Sequence, residues 1–192
     1  MFDNFKADIK RYYSDAAKDK LTFLRTLKTI FFYKQLWIIG LYRYRKWIER
    51  TVKNKIIHFL LKIPHYIFSR PLVLLYGIHI QTGAEIGRGL YIGHHGGIWI
   101  GPVKMGDNCN ISQQVTIGMG LRGKNLREVP VIGDRVYIGP GAKLFGMIKI
   151  GNDVAIGANS VVSKNLPDSA VAVGNPARIV SYEGSKGIVK LN

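Results

Sequence analysis

Ile132-Gly-Asp-Arg-Val-Tyr-Ile138-Gly-Pro-Gly-Ala-Lys-Leu144-Phe-Gly-Met-Ile-Lys-Ile150-Gly-Asn-Asp-Val-Ala-Ile156-Gly-Ala-Asn-Ser-Val-Val162 decides the fold. Its aliphatic residues fall six apart without a miss, and Gly follows Ile132, Ile138, Ile150 and Ile156. Neither an α-helix, with a period of 3.6, nor an amphipathic strand, with a period of 2, uses a spacing of six. A solenoid does. Each hexad supplies a short flat strand, its aliphatic residue points inward, and a small residue turns the corner. Stacked coils then bury a continuous aliphatic column.

Working toward the N-terminus, a loop from Gly118 to Val131 interrupts the pattern, and Met105, Ile111 and Ile117 carry it on the other side. A one-residue slip near Pro102 resets the phase to Ile80, Ile86, Ile92 and Ile98. The solenoid is therefore expected over 78–180, with the loop 118–131 leaving it and 181–192 as a C-terminal tail.

Before Gly77 the character changes. Apolar residues recur at helical spacing with few glycines, and helices are expected at about 4–18, 21–32 and 34–50. One or two further pieces are expected across 53–75, broken or begun by Pro64 and Pro71. This region of residues 1–77 holds 16 Lys and Arg against 5 Asp and Glu, most of the excess behind the chain's formal charge of +16. Phe31, Phe32, Tyr33, Trp37, Tyr42, Tyr44 and Trp47 are interleaved with Lys34, Arg43, Arg45 and Lys46. Two readings suit that mixture: an anionic membrane surface, or a helical oligomerisation surface with a solvated basic face. Nucleic acid is not expected as a partner, because no nucleic-acid-binding module appears. No secretory signal is read at the start, and the longest apolar stretch, Ile56 to Tyr76, is broken by Lys62, Pro64, His65, Arg70 and Pro71. The single Cys109 excludes an internal disulfide framework, fits a cytoplasmic setting, and is read as a small buried side chain.

Three segments resemble the hexapeptide-repeat acyltransferases of the serine-acetyltransferase-like branch. Ala84-Glu-Ile-Gly-Arg-Gly-Leu-Tyr-Ile-Gly-His-His-Gly-Gly-Ile98 is similar to their catalytic coil, Ile132 to Val162 to their acetyl-CoA-binding coils, and Gly174-Asn-Pro-Ala-Arg-Ile179 to their closing segment. The basic aromatic stretch 31–50 is similar to the helical part that precedes the β-helix in that family. The resemblance implies a left-handed β-helix with three hexads per coil, an acetyl-CoA-dependent O-acetyltransferase, and a homotrimer with the cofactor between neighbouring β-helices.

By position His94 matches the family's general base. The chemistry explains the residue type, since an imidazole titrating near neutrality takes the proton of a weakly nucleophilic hydroxyl. At most one of His94 and His95 faces the thioester, and His95 is read as an acceptor contact. Backbone N–H groups near Gly96 or Gly97 are candidates for the oxyanion. Coenzyme A leaves as a thiolate, so no metal is expected. His79, Glu85 or a backbone carbonyl is expected to orient His94. The resemblance assigns Gly139, Gly141, Ala142 and Ala158 to the pantetheine arm, Lys164 and Arg178 to the phosphates or adenine, and adds Gly157 and Ser163 to the cofactor-binding residues. Gln114, rather than Gln113, is an acceptor-side candidate, and Arg122, Lys124 and Arg127 of the loop are candidates for an acidic sugar or the coenzyme phosphates, or else are simply solvated.

The sequence departs from serine acetyltransferases at three places. Gly93 stands where Asp precedes the base, His79 where a carboxylate orients it, and Glu128-Val129 where an Arg-His pair precedes Pro130. Those departures and the basic N-terminal region favour a sugar hydroxyl as acceptor, in the synthesis of bacterial surface polysaccharide such as capsule, O-antigen or colanic-acid-type exopolysaccharide. The acceptor is then a carbohydrate, lipid-linked at the inner face of the membrane. Serine, in cysteine biosynthesis, is the alternative acceptor, and a non-catalytic β-helix scaffold is the second alternative.

Overall fold

The computed structural model describes residues 2–13, 22–120 and 129–189. Four helices come first: α1 (Phe2–Lys10), α2 (Phe23–Phe32), α3 (Gln35–Thr51) and α4 (Lys55–Tyr76). The expected first helix is shorter than its sequence window, ending at Lys10 with a turn at 11–13, and 14–21 lie outside the described residues. The expectation for 53–75 needs correction, because α4 runs unbroken through Pro64 and Pro71. Each proline forfeits one helix hydrogen bond. They lie seven positions apart, two turns, so both losses fall on nearly the same side of the helix and the opposite side keeps its bonds. Asn54 caps the start by accepting from the N–H groups of Ile56 and Ile57. Gly77 ends the helix in the left-handed conformation, φ 60°.

From Ile78 the chain winds into a parallel β-solenoid whose strands form three sheets. The first contains β1 (Ile78–Ile80), β4 (Ile98–Ile100), β7 (Thr116–Gly118), β10 (Lys143–Phe145) and β13 (Val161–Val162). The second contains β2 (Glu85–Ile86), β5 (Lys104–Met105), β8 (Val131–Ile132) and β11 (Lys149–Ile150). The third contains β3 (Tyr91–Ile92), β6 (Asn110–Ile111), β9 (Tyr137–Ile138), β12 (Ala155–Ile156) and β14 (Val171–Val173), closed by the antiparallel β15 (Arg178–Ser181). Each aliphatic of the six-residue pattern faces its counterpart one coil away: Ile92 with Ile111, Ile111 with Ile138, Ile138 with Ile156.

The pattern explains only half of the core. A second buried column lies two residues before the first, through Ala84, Leu90, Val103, Cys109, Val115, Val136, Ala142, Ile148 and Val154. Cys109 belongs to this column, and burial pushes its thiol up to about 12, so it packs as a small apolar group. Burying a side chain such as Ile138 completely contributes on the order of 1.5–3 kcal/mol.

The glycine after so many inward aliphatics has a physical cause. At one corner a side-chain ladder climbs the solenoid, where the N–H groups of Arg88, Asp107, Asp134 and Asn152 donate to the Oδ1 atoms of Asp107, Asp134, Asn152 and Asp168. A Cβ at Gly106 would stand 2.1 Å from the Asp134 Oδ1, so a side chain there would evict the rung.

The first coil has no coil before it, and the helices supply its missing partners. The buried Tyr12 hydroxyl accepts from the Ile92 N–H and donates to the Ile92 carbonyl. Tyr42 serves Ile86 and Ala84 in the same way. Arg43 donates to the carbonyls of Ile86 and Gly87 and pairs with the fully buried Asp8 at 2.8 Å. Asp8 also accepts from the Leu90 N–H. An exposed strand edge is thereby closed by four side chains. After β15 the chain folds back, with the Ser185 hydroxyl on the Arg135 carbonyl and Val189 buried. Among the described residues no helix is long and apolar enough to cross a membrane.

Candidate active site

His94 follows β3 at the corner where the chain passes from the third sheet to the first. It is exposed, as is His95. Gly96 and Gly97 take φ of 105° and 66°, and this left-handed pair makes the turn that carries the two histidines. The same corner recurs in each coil. Above Gly96 stands Gln114, whose N–H donates to the Gly96 carbonyl; the Gly141 N–H donates to the Gln113 carbonyl, and that of Asn159 to Pro140. A line of corners therefore runs from His94 through Gln113 and Gln114 to Gly139–Gly141 and then Gly157–Ala158. Adjacent coils rise about 4.8 Å, so Gly139 lies on the order of 10 Å along the axis from the histidine. Catalytic and cofactor candidates from separate stretches of sequence thus share one edge of the solenoid.

Ser163 and Lys164, both exposed, follow β13 on the opposite edge of the first sheet. Arg178 starts β15 and is exposed beside the end of the corner line, where the Ala177 N–H bonds the Val161 carbonyl. Arg122, Lys124 and Arg127 lie outside the described residues.

Three assignments change. Ala142 is wholly buried in the core and its carbonyl accepts from Thr116, so it offers no surface to a cofactor. It occupies the second inward column, which the six-residue pattern did not reveal. Glu85 sits on β2, in a different sheet from the His94 corner, and binds Lys46 at 2.6 Å and Arg50 of α3. Burial opposes its ionisation, but the two cations together hold its carboxyl below its ordinary value, so it ties α3 to the solenoid instead of orienting His94. Gly96 donates its N–H to the Tyr76 carbonyl at 2.9 Å, which removes it as an oxyanion donor; Gly97 N–H has no such partner among the described residues.

His79 lies on β1, in register with Trp99, and its ring stacks on the indole at 4.1 Å between centroids. Burial, and then Arg70, lower its pKa, so the ring is neutral near pH 7. It makes no hydrogen bond to His94 among the described residues. Two aromatics were missed in the sequence. Trp99 carries His79, and Tyr76 presents its ring edge-on to His95 at 5.8 Å. The signal available for Trp99 was a large aromatic at an outward position, Ile98-Trp-Ile100, between two inward ones. Gln113 was passed over for Gln114, yet its Oε1 is buried without a hydrogen-bond partner among the described residues. Gln114 is exposed, at φ 60°, and its carbonyl accepts from the Lys143 ammonium.

A β-solenoid of hexads, capped by helices, with a histidine at the head of a line of small corners, defines a hexapeptide-repeat acyltransferase. No protein-family model matches the chain. The serine acetyltransferase of Helicobacter pylori (strain ATCC 700392 / 26695) is 42% identical over 141 residues, covering 71% of this chain and 82% of that protein. The structure of the serine acetyltransferase of Neisseria gonorrhoeae superposes with a TM-score of 0.74 at 26% identity, over 100% of this chain and 70% of that one. That of Brucella abortus strain S19 in complex with coenzyme A gives a TM-score of 0.74 at 27% identity, over 95% and 68%. The chain belongs to the serine acetyltransferase family, acetyl-CoA-dependent acyltransferases built on the left-handed β-helix.

These relatives overturn the sugar acceptor expected from the sequence. Likeness to serine acetyltransferases extends over most of the chain and outweighs the three local departures. The basic N-terminal region, which had pointed to a lipid-linked acceptor, has another use for part of its charge. Arg43, Lys46 and Arg50 clamp helix to solenoid, and Arg11 of the turn after α1 donates to the Asn108 carbonyl and Asn110 Oδ1.

Proposed function

We propose that this protein acetylates the side-chain hydroxyl of serine from acetyl-CoA, with His94 as general base. The observation that carries the reading is the 42% identity to the Helicobacter pylori serine acetyltransferase over 82% of that protein. In this mechanism the His94 imidazole takes the hydroxyl proton as the oxygen attacks the thioester carbonyl. The carbonyl becomes a tetrahedral oxyanion, for which the Gly97 N–H is the donor left by the local hydrogen bonding. Collapse breaks the C–S bond, coenzyme A departs as a thiolate, and the His94 imidazolium supplies its proton. No acyl-enzyme forms.

The corner line is the path we assign to the pantetheine arm, along Gly139, Gly141, Gly157 and Ala158, with Arg178, beside the end of that line, toward the nucleotide. Its second wall in this reading is the neighbouring β-helix of a homotrimer. His95 and Gln114 stay on the acceptor side. Because Gly93, Glu128 and Val129 replace groups that grip serine in the family, the reading expects a raised KM for serine rather than a lowered kcat.

The test is coenzyme A release followed with a thiol reagent, in the presence of acetyl-CoA and L-serine. Turnover is expected from the natural sequence, with a loss of about 10²–10⁴-fold in His94→Ala at unchanged melting temperature. Absence of turnover with millimolar serine overturns the acceptor, and undiminished turnover in His94→Ala overturns the base.

A further inference from the structure

Two helices turn apolar sides to solvent. On α4, at about 100° of turn per residue, Ile56, Leu60, Ile63, Ile67 and Leu74 share the side opposite the buried His65, and they are 40–86% exposed. On α2, Leu24, Leu27 and Phe31 share the side opposite Thr29, the buried residue of that helix, and are 49–78% exposed. The two helices meet at Trp37, whose indole N–H donates to the Ile30 carbonyl at 2.7 Å while its ring stands edge-on to Tyr76.

The charges beside these sides are all positive. Lys55, Lys62 and Arg70 run along one flank of the apolar side of α4, Arg25 and Lys28 along one flank of that of α2, and neither helix contains Asp or Glu. None of the five pairs with a carboxylate among the described residues, where α3 supplies the helical cations that do: Arg43, Arg45, Lys46 and Arg50. A second copy of the chain suits these sides poorly, because joining them would set cation against cation. A lipid surface with anionic headgroups answers both features, since its acyl region receives the apolar side and its phosphates meet the cations at the edge. The long stems of Lys and Arg lie along apolar surface while their charged ends reach the headgroups. Neither helix is long and apolar enough to cross a membrane, so such binding lies in the plane of the surface.

We propose that α4, with α2 beside its end, docks the protein on the surface of an anionic lipid bilayer. The helix lies among the headgroups, with Ile56, Leu60, Ile63, Ile67 and Leu74 toward the acyl chains and Lys55, Lys62 and Arg70 on the phosphates. Docking concerns where the protein sits and leaves acetyl transfer as it is. The opposite side of α4 carries Tyr76, whose ring stands edge-on to His95 at 5.8 Å, so the His94 corner faces away from the lipid.

The experiment is flotation of the full chain with vesicles of phosphatidylglycerol and phosphatidylethanolamine in equal parts, beside vesicles of phosphatidylcholine alone. The protein is expected to float with the anionic vesicles and to stay behind with the neutral ones, and added salt should weaken the binding. The ratio of bound to free protein should fall about tenfold or more in the triple variant Lys55→Gln, Lys62→Gln, Arg70→Gln, and likewise in the double variant Leu60→Ser, Ile67→Ser. Both variants change exposed or half-buried side chains and should keep the parent's melting temperature and light-scattering mass. Flotation needs no turnover, so His94→Ala should float like the parent, and silence with serine would leave this result standing. The proposal is overturned if the protein does not float with anionic vesicles, if it floats equally with neutral ones, or if both variants float like the parent. It is also overturned if the double variant breaks into smaller species, which would make the apolar side a contact between copies.

Discussion

The β-helix and α4 treat apolar residues in opposite ways. In the solenoid the aliphatics of the six-residue pattern from Ile86 to Val162 point inward, and Ile92, Ile111, Ile138 and Ile156 are essentially inaccessible. In α4 the side turned toward α3 and β1 carries His58, Leu61, His65, Ser69, Leu72 and Tyr76, spaced three and four apart. The side turned away carries Ile56, Leu60, Ile63, Ile67 and Leu74, and Leu74 is 86% exposed. The solenoid closes on itself, so its inward positions are defined by the winding alone. A helix is oriented by what its neighbours offer, and here they offer polar partners: Tyr44 donates its hydroxyl to the Leu61 carbonyl, and His58 Nδ1 meets the Val52 carbonyl. Hydrophobicity therefore predicts burial where the architecture is self-contained and fails where one element leans on another.

The comparison can be broken at three places, taken from the largest effect to the smallest. At the junction between the two regions, Asp8→Ala leaves Arg43 charged and buried without its partner. A loss of about 3–5 kcal/mol is expected in chemical denaturation; a loss below 1 kcal/mol would show that the helices do not depend on this pair to cap the first coil. Inside the solenoid, Ile138→Ala is expected to cost about 2–5 kcal/mol, since it opens a cavity in the middle of the column. If it proves neutral, the coils relax individually and the column is not a continuous core. On α4, Ile67→Ser changes a side chain that is 61% exposed and should fall within about 0.5 kcal/mol of the parent. A loss several times larger would show that the assembled protein covers this face, and the contrast between the regions would then hold for the lone chain only.

Legibility followed the same divide. The six-residue spacing revealed the winding and one column of the core, because that column is uniformly Ile, Leu, Val or Met. The second column mixes Ala, Cys, Val, Leu and Ile, so composition gave no handle on it, and Ala142 was read as surface for that reason. The helices were visible as helices, but α4's passage through Pro64 and Pro71 was not, since its continuity is a matter of tertiary support. At the site, His94 and the small corners were assigned from the resemblance, and the coil geometry puts them on one edge. Glu85 was misread because its role depends on Lys46 and Arg50, which lie more than thirty positions away in sequence. Trp99 stayed hidden because its outward direction needs the register with His79. The acceptor was misread for a related reason: Gly93, Glu128 and Val129 are local departures, whereas kinship is spread over whole coils.

The ladder of Asp107, Asp134, Asn152 and Asp168 also sets a grammar for change. Each rung reaches back to the coil before it and needs a glycine there, so the unit that can be gained or lost without damage is a complete coil. A single-residue insertion at that corner would strand a rung against a side chain, whereas a duplicated coil would bring its own glycine and its own carboxamide or carboxylate. The long excursion between β7 and β8 leaves at a different corner from the ladder. The solenoid can therefore be lengthened like text by whole lines, with marginal notes of any length permitted on the other edge.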